Sequence, residues 1–248
     1  MTDIQADEYW AKKGKVDLFM FRKRRAGDAG LPVLFLVHGS SFCGATGFDL
    51  QVPGRNDYSL MDRFADARFD VWTMDHEGYG RSSRTDGYSD IASGVADLEA
   101  GFDVVMRETG AASALFYGSS SGALRAAAFA QARPDAVSRL VLDAFVWTGK
   151  DAPTLKKRAE NLGYFRSHNT RPVVDPRNIS CPVMIVRGEH DGVATEEDLM
   201  AFFQLLPNMD KQFAIFAGQA HVTPLGLNRH RFWHAMESFL TMPPRVDV

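Results

Sequence analysis

One short segment of the chain combines a candidate nucleophile with the backbone geometry that a nucleophile needs. Residues 115–124 read Leu-Phe-Tyr-Gly-Ser-Ser-Ser-Gly-Ala-Leu, in which Ser120 stands between Gly118 and Gly122. Apolar residues precede this Gly-x-Ser-x-Gly pattern and alanine-rich sequence follows it, which predicts a strand, a sharp turn and a helix. Small residues on either side suit the tight backbone of such a turn. The first amides of the helix would then face a negative oxygen that develops during attack on a carbonyl.

Three serines are consecutive here, so the residues on either side of each one must decide which of them is the nucleophile. Ser121 is a rival centre because Ser119 and Ala123, two positions away on either side, are also small. Ser119 is not, because Tyr117 would occupy one of the tight positions. We therefore predict Ser120 as the nucleophile, with Ser121 as the alternative. A glycine- and serine-rich loop without a chemical role gives the same bare pattern, and the flanking strand and helix argue against it.

The elements around this segment alternate between strands and helices. The apolar run Pro32–Val37 predicts a strand buried on both faces, and Ile91–Arg107 has apolar residues near the helical period. The same criteria predict strands at Val16–Phe21, Val71–Met74, Ala114–Tyr117, Leu140–Ala144, Pro182–Val186 and Phe213–Phe216, and helices at Tyr58–Ala67, Gly122–Ala132, Glu196–Leu206 and Arg229–Leu240. Strands separated by helices predict an α/β fold, with a mostly parallel central sheet and helices on both faces.

One stretch interrupts the alternation. Residues 147–177 separate two predicted strands by far more than a usual loop and contain a helix-like piece, Pro153–Leu162. Long insertions at the carboxyl edge of a parallel sheet often form lids. We therefore predict a single domain, residues 1–248, with a cap insertion at about 147–177. A plain crossover helix is the alternative.

The composition of this insertion suggests one property of the substrate. The insertion holds seven basic and three acidic residues in a chain whose net charge is −3. If it covers the site, it would attract a carboxylate-bearing molecule; a solvated helix face would have the same composition. Arg166 and Arg171 are the candidates to bind the anionic group, with Tyr164 beside them.

The nucleophile turn, set within this alternation of elements, resembles the α/β-hydrolase superfamily from Pro32 to the C-terminus. The resemblance implies an α/β-hydrolase fold and a catalytic triad in the chain order nucleophile, acid, histidine. Asp191 and His221 follow Ser120 in that order, each just after a predicted strand, where parallel sheets present functional groups. A histidine can accept the serine proton near neutral pH, and a carboxylate can orient its ring.

Two neighbours of these residues compete for the same roles. Asp143 ends an earlier predicted strand, a position that some relatives of the superfamily use for the acid, so it is the alternative to Asp191. His190 directly precedes Asp191 and is expected to be a neighbour rather than a participant.

The resemblance also gives a role to the turn after the most apolar strand. Residues 36–44, Leu-Val-His-Gly-Ser-Ser-Phe-Cys-Gly, resemble the family's His-Gly turn, which lends a backbone amide to the oxyanion hole. The matching amide is that of Ser40, or Ser41 if the turn is shifted, and the second donor is the amide of Ser121. Ser41 and Phe42 are expected to contact substrate. A surface turn without a catalytic part is the alternative.

Other patterns argue against a cofactor. The segment 75–83 has two glycines of a dinucleotide loop, but Ser83 replaces the third and no helix opens at once, so a structural turn that supports the pocket is expected. His230 and His234 share a face of a predicted helix but lack the glutamate of H-E-x-x-H. Two cysteines are too few for a four-cysteine zinc site or a disulfide framework. We expect neither a metal nor another cofactor.

Composition limits the classes of partner. The chain has 248 residues with Lys+Arg 28 against Asp+Glu 31, a balance that argues against a generic nucleic-acid binder. No apolar run approaches the roughly 20 residues of a membrane span, and the polar N-terminus lacks the apolar core of a secretory signal. We expect a cytoplasmic protein with a small-molecule substrate and no nucleic-acid or membrane partner; a homodimer is left open.

Taken with the resemblance, these features predict a serine hydrolase that cleaves an ester, lactone or related acyl bond of a small molecule through an acyl-enzyme. The same scaffold serves many chemistries, so two alternatives stay open. One is a C–C bond hydrolase that uses the same triad on a ring-cleavage product. The other is a ligand-binding protein with little turnover.

Overall fold

A computed structural model describes residues 3–149, 152 and 172–246. It is built on one eight-stranded sheet with the strand order β1-β2-β4-β3-β5-β6-β7-β8. The strands are β1 (Ile4–Lys13), β2 (Val16–Arg25), β3 (Val33–Val37), β4 (Asp70–Met74), β5 (Ala114–Ser119), β6 (Val137–Asp143), β7 (Val183–Gly188) and β8 (Lys211–Phe216). The helices are α1 (Gly44–Phe48), α2 (Leu60–Asp66), α3 (Ile91–Thr109), α4 (Ser121–Ala132), α5 (Glu196–Leu205) and α6 (Arg229–Leu240).

The sheet is mostly parallel, as the alternation of elements predicts. Strands β3 to β8 run parallel, whereas β1 and β2 form an antiparallel hairpin that joins the sheet through β4. The chain places β4 on one side of β3 and then crosses back to place β5 on the other side. Loops after β3 and β5 therefore diverge at one point of the carboxyl edge, which is where open parallel sheets bind ligands.

Helices cover both faces of the sheet because the central strands are apolar on both. All five residues of β3 are buried. One core layer packs α3, α4 and α5 against the sheet, and a second packs α2 and α6 against the opposite face. This two-sided burial confirms the α/β fold class. No helix in the described ranges is both long and apolar enough to cross a membrane.

Within the described residues the predicted elements are present, with shifts of a few residues at their ends, but the sequence did not predict the short helix α1 or the edge strand β1. Nearly all of its side chains are partly or fully exposed, because β1 forms the edge of the sheet and pairs only with β2. Such a strand has no apolar run to reveal it. Of the cap proposed for 147–177, residues 150, 151 and 153–171 lie outside the described residues, including the helix-like piece Pro153–Leu162, and the cap stays a prediction.

Candidate active site

Ser120 lies on a strained turn between β5 and α4. Its backbone angles are φ 55° and ψ −122°, in the region that residues with a side chain rarely adopt and that costs roughly 1–3 kcal/mol. Its amide donates to the carbonyl oxygen of Asp143 at 2.8 Å, which helps to hold the turn. A strained serine between a strand and a helix is the geometry that the Gly-x-Ser-x-Gly pattern predicts.

Close backbone contacts explain the glycines around Ser120. A Cβ atom on Gly118 would lie 2.6 Å from the Cα of Ala123, and one on Gly122 would lie 2.3 Å from the carbonyl oxygen of Val37. Real Cβ atoms essentially never come this close to backbone, so only glycine fits either position without movement. The spacing of the pattern therefore has a steric cause in this fold.

Three side chains from separate loops meet at this turn. The Nε2 atom of His221 lies 3.0 Å from the Oγ atom of Ser120, and its Nδ1 atom lies 3.1 and 3.0 Å from the two carboxylate oxygens of Asp191. Asp191 follows β7 and His221 follows β8, so adjacent strands bring them together. With Nδ1–H donated to Asp191, Nε2 is left to accept the Ser120 hydroxyl proton.

Asp191 is held firmly in place. Its side chain is buried, and its Oδ1 atom also accepts the amides of Val193 at 2.8 Å and Ala194 at 3.1 Å. These two backbone donors fix the carboxylate orientation and compensate for its burial. The geometry therefore favours Asp191 as the partner of His221.

Asp143, the rival acid, is engaged elsewhere. It is fully buried, and its Oδ2 atom accepts hydrogen bonds from the Tyr117 hydroxyl at 2.7 Å and from the Thr223 hydroxyl. Burial raises the pKa of Asp143 to about 7, against the effect of these two hydrogen bonds. Sequence reasoning missed this arrangement, because Thr223 and Tyr117 belong to segments that only the fold brings together.

The rival nucleophile is also placed differently. The Oγ atom of Ser121 is buried and has no hydrogen-bond partner within the part of the chain that the structure describes. Ser121 is the first residue of α4, so its amide belongs to the first turn, where helices leave backbone donors unused. Ser121 is thus suited to donate a hydrogen bond through its backbone amide rather than to attack a substrate.

The loop after β3 is set by a buried histidine. The Nδ1 atom of His38 lies 2.8 Å from the carbonyl oxygen of Gly39, and its Nε2 atom accepts the amide of His76 at 3.0 Å. His38 therefore carries its proton on Nδ1, and burial lowers its pKa well below the ordinary value. Because carbonyl and amide point in opposite directions across a trans peptide, the Ser40 amide faces away from His38.

His76 connects the buried His38 to Asp97 and Lys13. Its Nδ1 atom lies 3.1 Å from Asp97, and the Nζ atom of Lys13 lies 2.5 Å from the other oxygen of the same carboxylate. Burial lowers the pKa of His76 to about 4. The glycine pattern of the segment 75–83, which contains His76, does not predict these partners.

The remaining candidates fall into three groups. Ser41 and Phe42 lie in the loop after β3 with exposed side chains. Tyr164, Arg166 and Arg171 lie outside the described residues, so their substrate contacts stay predictions. His190 is exposed beside Glu189, and His230 lies 3.3 Å from Asp57. The described residues contain no group of three or more side chains able to hold a metal ion.

The 75–83 segment supports the loop after β3. Asp75 accepts the amide of Gly44 at 2.7 Å through one carboxylate oxygen and that of Arg81 at 2.9 Å through the other. The buried Asp75 side chain thus joins the turn of the segment 75–83 to the start of α1.

Comparisons with known proteins agree with this architecture. The family model described as "Serine aminopeptidase, S33" matches residues 53–173. Carboxylesterase CesB from Bacillus subtilis is 16% identical, with a TM-score of 0.72 over 97% of this chain and 93% of that one. Est1E from Butyrivibrio proteoclasticus, solved with ferulic acid, is 16% identical, with a TM-score of 0.72 over 94% and 97%.

A third solved structure is named for a different activity on the same scaffold. The 2-hydroxy-6-oxo-6-phenylhexa-2,4-dienoate hydrolase from Rhodococcus sp. strain RHA1 is 14% identical, with a TM-score of 0.69 over 96% of this chain and 100% of that one. No curated protein matches the sequence. At identities this low, the structural similarity establishes the fold but not the substrate. The eight-stranded sheet, the family match and the solved structures together show that this chain has an α/β-hydrolase fold.

Proposed function

We propose that the protein is a serine hydrolase that cleaves an ester, lactone or related acyl bond in a small molecule. The observation that carries this proposal is the continuous hydrogen-bonded line from Asp191 through His221 to the Oγ atom of Ser120. A serine hydroxyl is a weak nucleophile near neutral pH, and a histidine base in hydrogen-bond contact makes it reactive.

In the first step, Ser120 Oγ forms a bond to the substrate carbonyl carbon while His221 Nε2 takes the hydroxyl proton. The carbonyl π electrons move to oxygen, and the amides of Ser40 and Ser121 hold the resulting oxyanion. Asp191 stabilises the imidazolium and keeps its ring oriented. Each oxyanion donor is expected to contribute about 3–4 kcal/mol to transition-state stabilisation.

In the second step, the oxyanion collapses and the bond to the leaving oxygen breaks. That oxygen takes the proton from His221 and departs as an alcohol, which leaves an ester on Ser120. Water then attacks this acyl-enzyme while His221 removes its proton, and the collapse of the second intermediate releases the acid and restores the Ser120 hydroxyl. These reaction steps require no cofactor.

C–C bond hydrolysis with the same triad is the alternative reaction. It would need a substrate in which a carbanion can leave, such as a vinylogous diketone. Turnover of that compound without turnover of simple esters would favour it.

The test is hydrolysis of p-nitrophenyl acetate by the wild type, Ser120→Ala and Ser121→Ala at equal concentration. We expect the wild type to release p-nitrophenol and Ser120→Ala to lose about three orders of magnitude or more in kcat. A fluorophosphonate probe should label Ser120, as located by mass spectrometry. Loss of activity in Ser121→Ala with full activity in Ser120→Ala would contradict the choice of nucleophile. Ligand binding that survives Ser120→Ala, with negligible wild-type turnover, would indicate the ligand-binding alternative.

A further inference from the structure

A small apolar pocket opens beside the nucleophile turn. Two segments that are far apart in the sequence form most of its wall, namely the region of the β3 loop with α1 and the turn after His221. The principal side chains and backbone that line it come from Phe42, Gly47, Phe48, Val222, Pro224 and Leu225. The lining is almost entirely carbon, so the pocket suits an apolar group rather than a charged one.

Part of the pocket wall lies directly beside the reactive serine. Gly39 and Ser119 both line it, and Ser119 is bonded directly to Ser120. A Cβ atom on Gly39 would lie 3.0 Å from the Cβ atom of Ser120, so the pocket wall and the nucleophile are in close contact. A substituent of the carbonyl that Ser120 attacks therefore reaches the pocket within a few bonds.

Two polar side chains line the wall, Ser119 and His38, and the ring of His38 is already satisfied. His38 lines the pocket, but both of its ring nitrogens are engaged, one with the carbonyl oxygen of Gly39 and one with the amide of His76. A hydroxyl or carboxylate placed here would lose most of its hydrogen bonds to water without replacement, which is unfavourable.

The volume of the pocket limits what it holds. It measures about 30 Å³, and a space of roughly 10–15 Å³ on this measure holds one water molecule. The pocket therefore has room for two or three non-hydrogen atoms. We propose that it binds a short, unbranched apolar arm of the substrate, two or three carbons long, attached either to the reacting carbonyl or to its leaving oxygen. This inference rests on the proposed hydrolase function and adds the size and polarity of one substrate group.

Two substitutions change the pocket in opposite directions. A Cβ atom on Gly47 would have the Cβ atom of Phe42 as its nearest neighbour, at 3.6 Å, an ordinary contact. Gly47→Ala therefore narrows the pocket without forcing the backbone to move. Leu225→Ala widens it. Leu227→Ala is the matched control, because Leu227 is 87% exposed and does not line the pocket.

The experiment compares kcat/KM for two series of esters. One series varies the acyl chain of p-nitrophenyl esters from acetate to octanoate, and the other varies the alcohol of acetate esters from methyl to octyl. We expect wild-type kcat/KM to fall sharply in one series, either beyond three or four carbons in the acyl group or beyond two or three carbons in the alcohol, which identifies the arm that enters the pocket. In that series Gly47→Ala should lower kcat/KM for the longest accepted chain by about tenfold or more, and Leu225→Ala should raise it for the next longer chains.

The result separates this inference from the proposed function. If Ser120→Ala is inactive but Gly47→Ala and Leu225→Ala keep the wild-type chain-length profile in both series, the pocket assignment is wrong and the hydrolase assignment stands. If the wild type hydrolyses no ester, p-nitrophenyl alkylphosphonates from methyl to hexyl are used, because they modify a reactive serine without turnover. A Gly47→Ala variant that slows Ser120 modification by the propyl compound relative to the methyl compound supports the pocket. Equal rates overturn it, and no modification of Ser120 overturns both proposals.

Discussion

Asp143 contacts both Ser120 and the segment that carries His221. Its carbonyl oxygen accepts the Ser120 amide at 2.8 Å, and its carboxylate accepts the hydroxyl of Thr223, which lies two residues after His221. One buried residue at the end of β6 thus fixes the backbone of the nucleophile and the loop of the base. The distance between Ser120 and His221 depends on this residue as well as on the triad.

The first prediction concerns Asp143→Asn. The amide keeps the size of the side chain, and its oxygen can still accept the hydroxyls of Tyr117 and Thr223, but the variant removes a carboxylate that stabilises the His221 imidazolium. We expect kcat for a p-nitrophenyl ester to fall about tenfold with little change in KM. We also expect the rise of kcat/KM with pH to move to lower pH, because a carboxylate near the imidazolium favours the protonated ring.

Thr223→Val is the matched variant for this prediction. It removes the hydroxyl that contacts Asp143 and leaves the carboxylate in place. It should lower kcat because the His221 loop is held less firmly, and it should move the pH profile of kcat/KM less than Asp143→Asn does, because an ionisable carboxyl group stays near His221. If Asp143→Asn keeps the wild-type profile and rate, Asp143 has no influence on the site.

The second prediction separates the two candidate acids. Asp191→Asn should lower kcat by roughly 10³–10⁴, since an amide group facing Nδ1 disfavours the ring tautomer that accepts the Ser120 proton. The side-chain oxygen can still accept the amides of Val193 and Ala194, so the melting temperature should change little. An Asp191→Asn protein with more than a tenth of wild-type kcat would show that another carboxylate, with Asp143 the first candidate, serves as the acid.

The third prediction concerns stability in acid. The pKa of His76 is about 4 in the folded protein because the side chain is buried, and it is about 6.5 in an unfolded chain. Between these values the unfolded chain binds more protons, so the free energy of unfolding falls as pH falls from 6.5 to 4. The expected loss from this one group is at most about 3 kcal/mol.

Urea unfolding at pH 7 and at pH 4.5 measures this effect. His76→Gln carries no titrating ring, so its stability should fall less between the two pH values than that of the wild type. His190→Gln is the control, because His190 is exposed and its removal should leave the difference unchanged. Equal differences for all three proteins would contradict the prediction.

The fourth prediction compares two glycines near the site. Gly122→Ala places a methyl group 2.3 Å from the carbonyl oxygen of Val37, so the turn must shift, at an expected cost of about 1–3 kcal/mol or more. Gly47→Ala meets only an ordinary contact and should leave the free energy of unfolding within about 1 kcal/mol of the wild type. Denaturation by urea measures both. Equal stability of the two variants would show that the turn is less tightly packed than the distances indicate.

The sequence predicts best those features that depend on local pattern. The β3 strand is visible because it is apolar on both faces, and the turn at Ser120 is visible because its glycines have a fixed spacing. The pairing of Asp191 with His221 follows from the resemblance, and the structure brings the two side chains together. Their catalytic roles remain for the variants above to test.

Other features depend on contacts that no local pattern records. The choice between Asp143 and Asp191 depends on which carboxylate faces His221, and Tyr117 and Thr223 come from segments more than 100 residues apart. The edge strand β1 has mostly exposed side chains and so lacks an apolar run. The protonation of His38 depends on the amide of His76, 38 positions along the chain.

The backbone of Ser120 also restricts which nucleophiles this turn could ever carry. Its φ of 55° is a conformation that β-branched residues essentially never adopt, because their second Cβ substituent collides with the chain. Threonine, although it has the same hydroxyl, is therefore excluded at this position. Cysteine and aspartate have an unbranched Cβ atom and remain sterically admissible. The turn therefore allows a hydroxyl, thiol or carboxylate nucleophile, but it excludes threonine, the residue that is chemically most similar to serine.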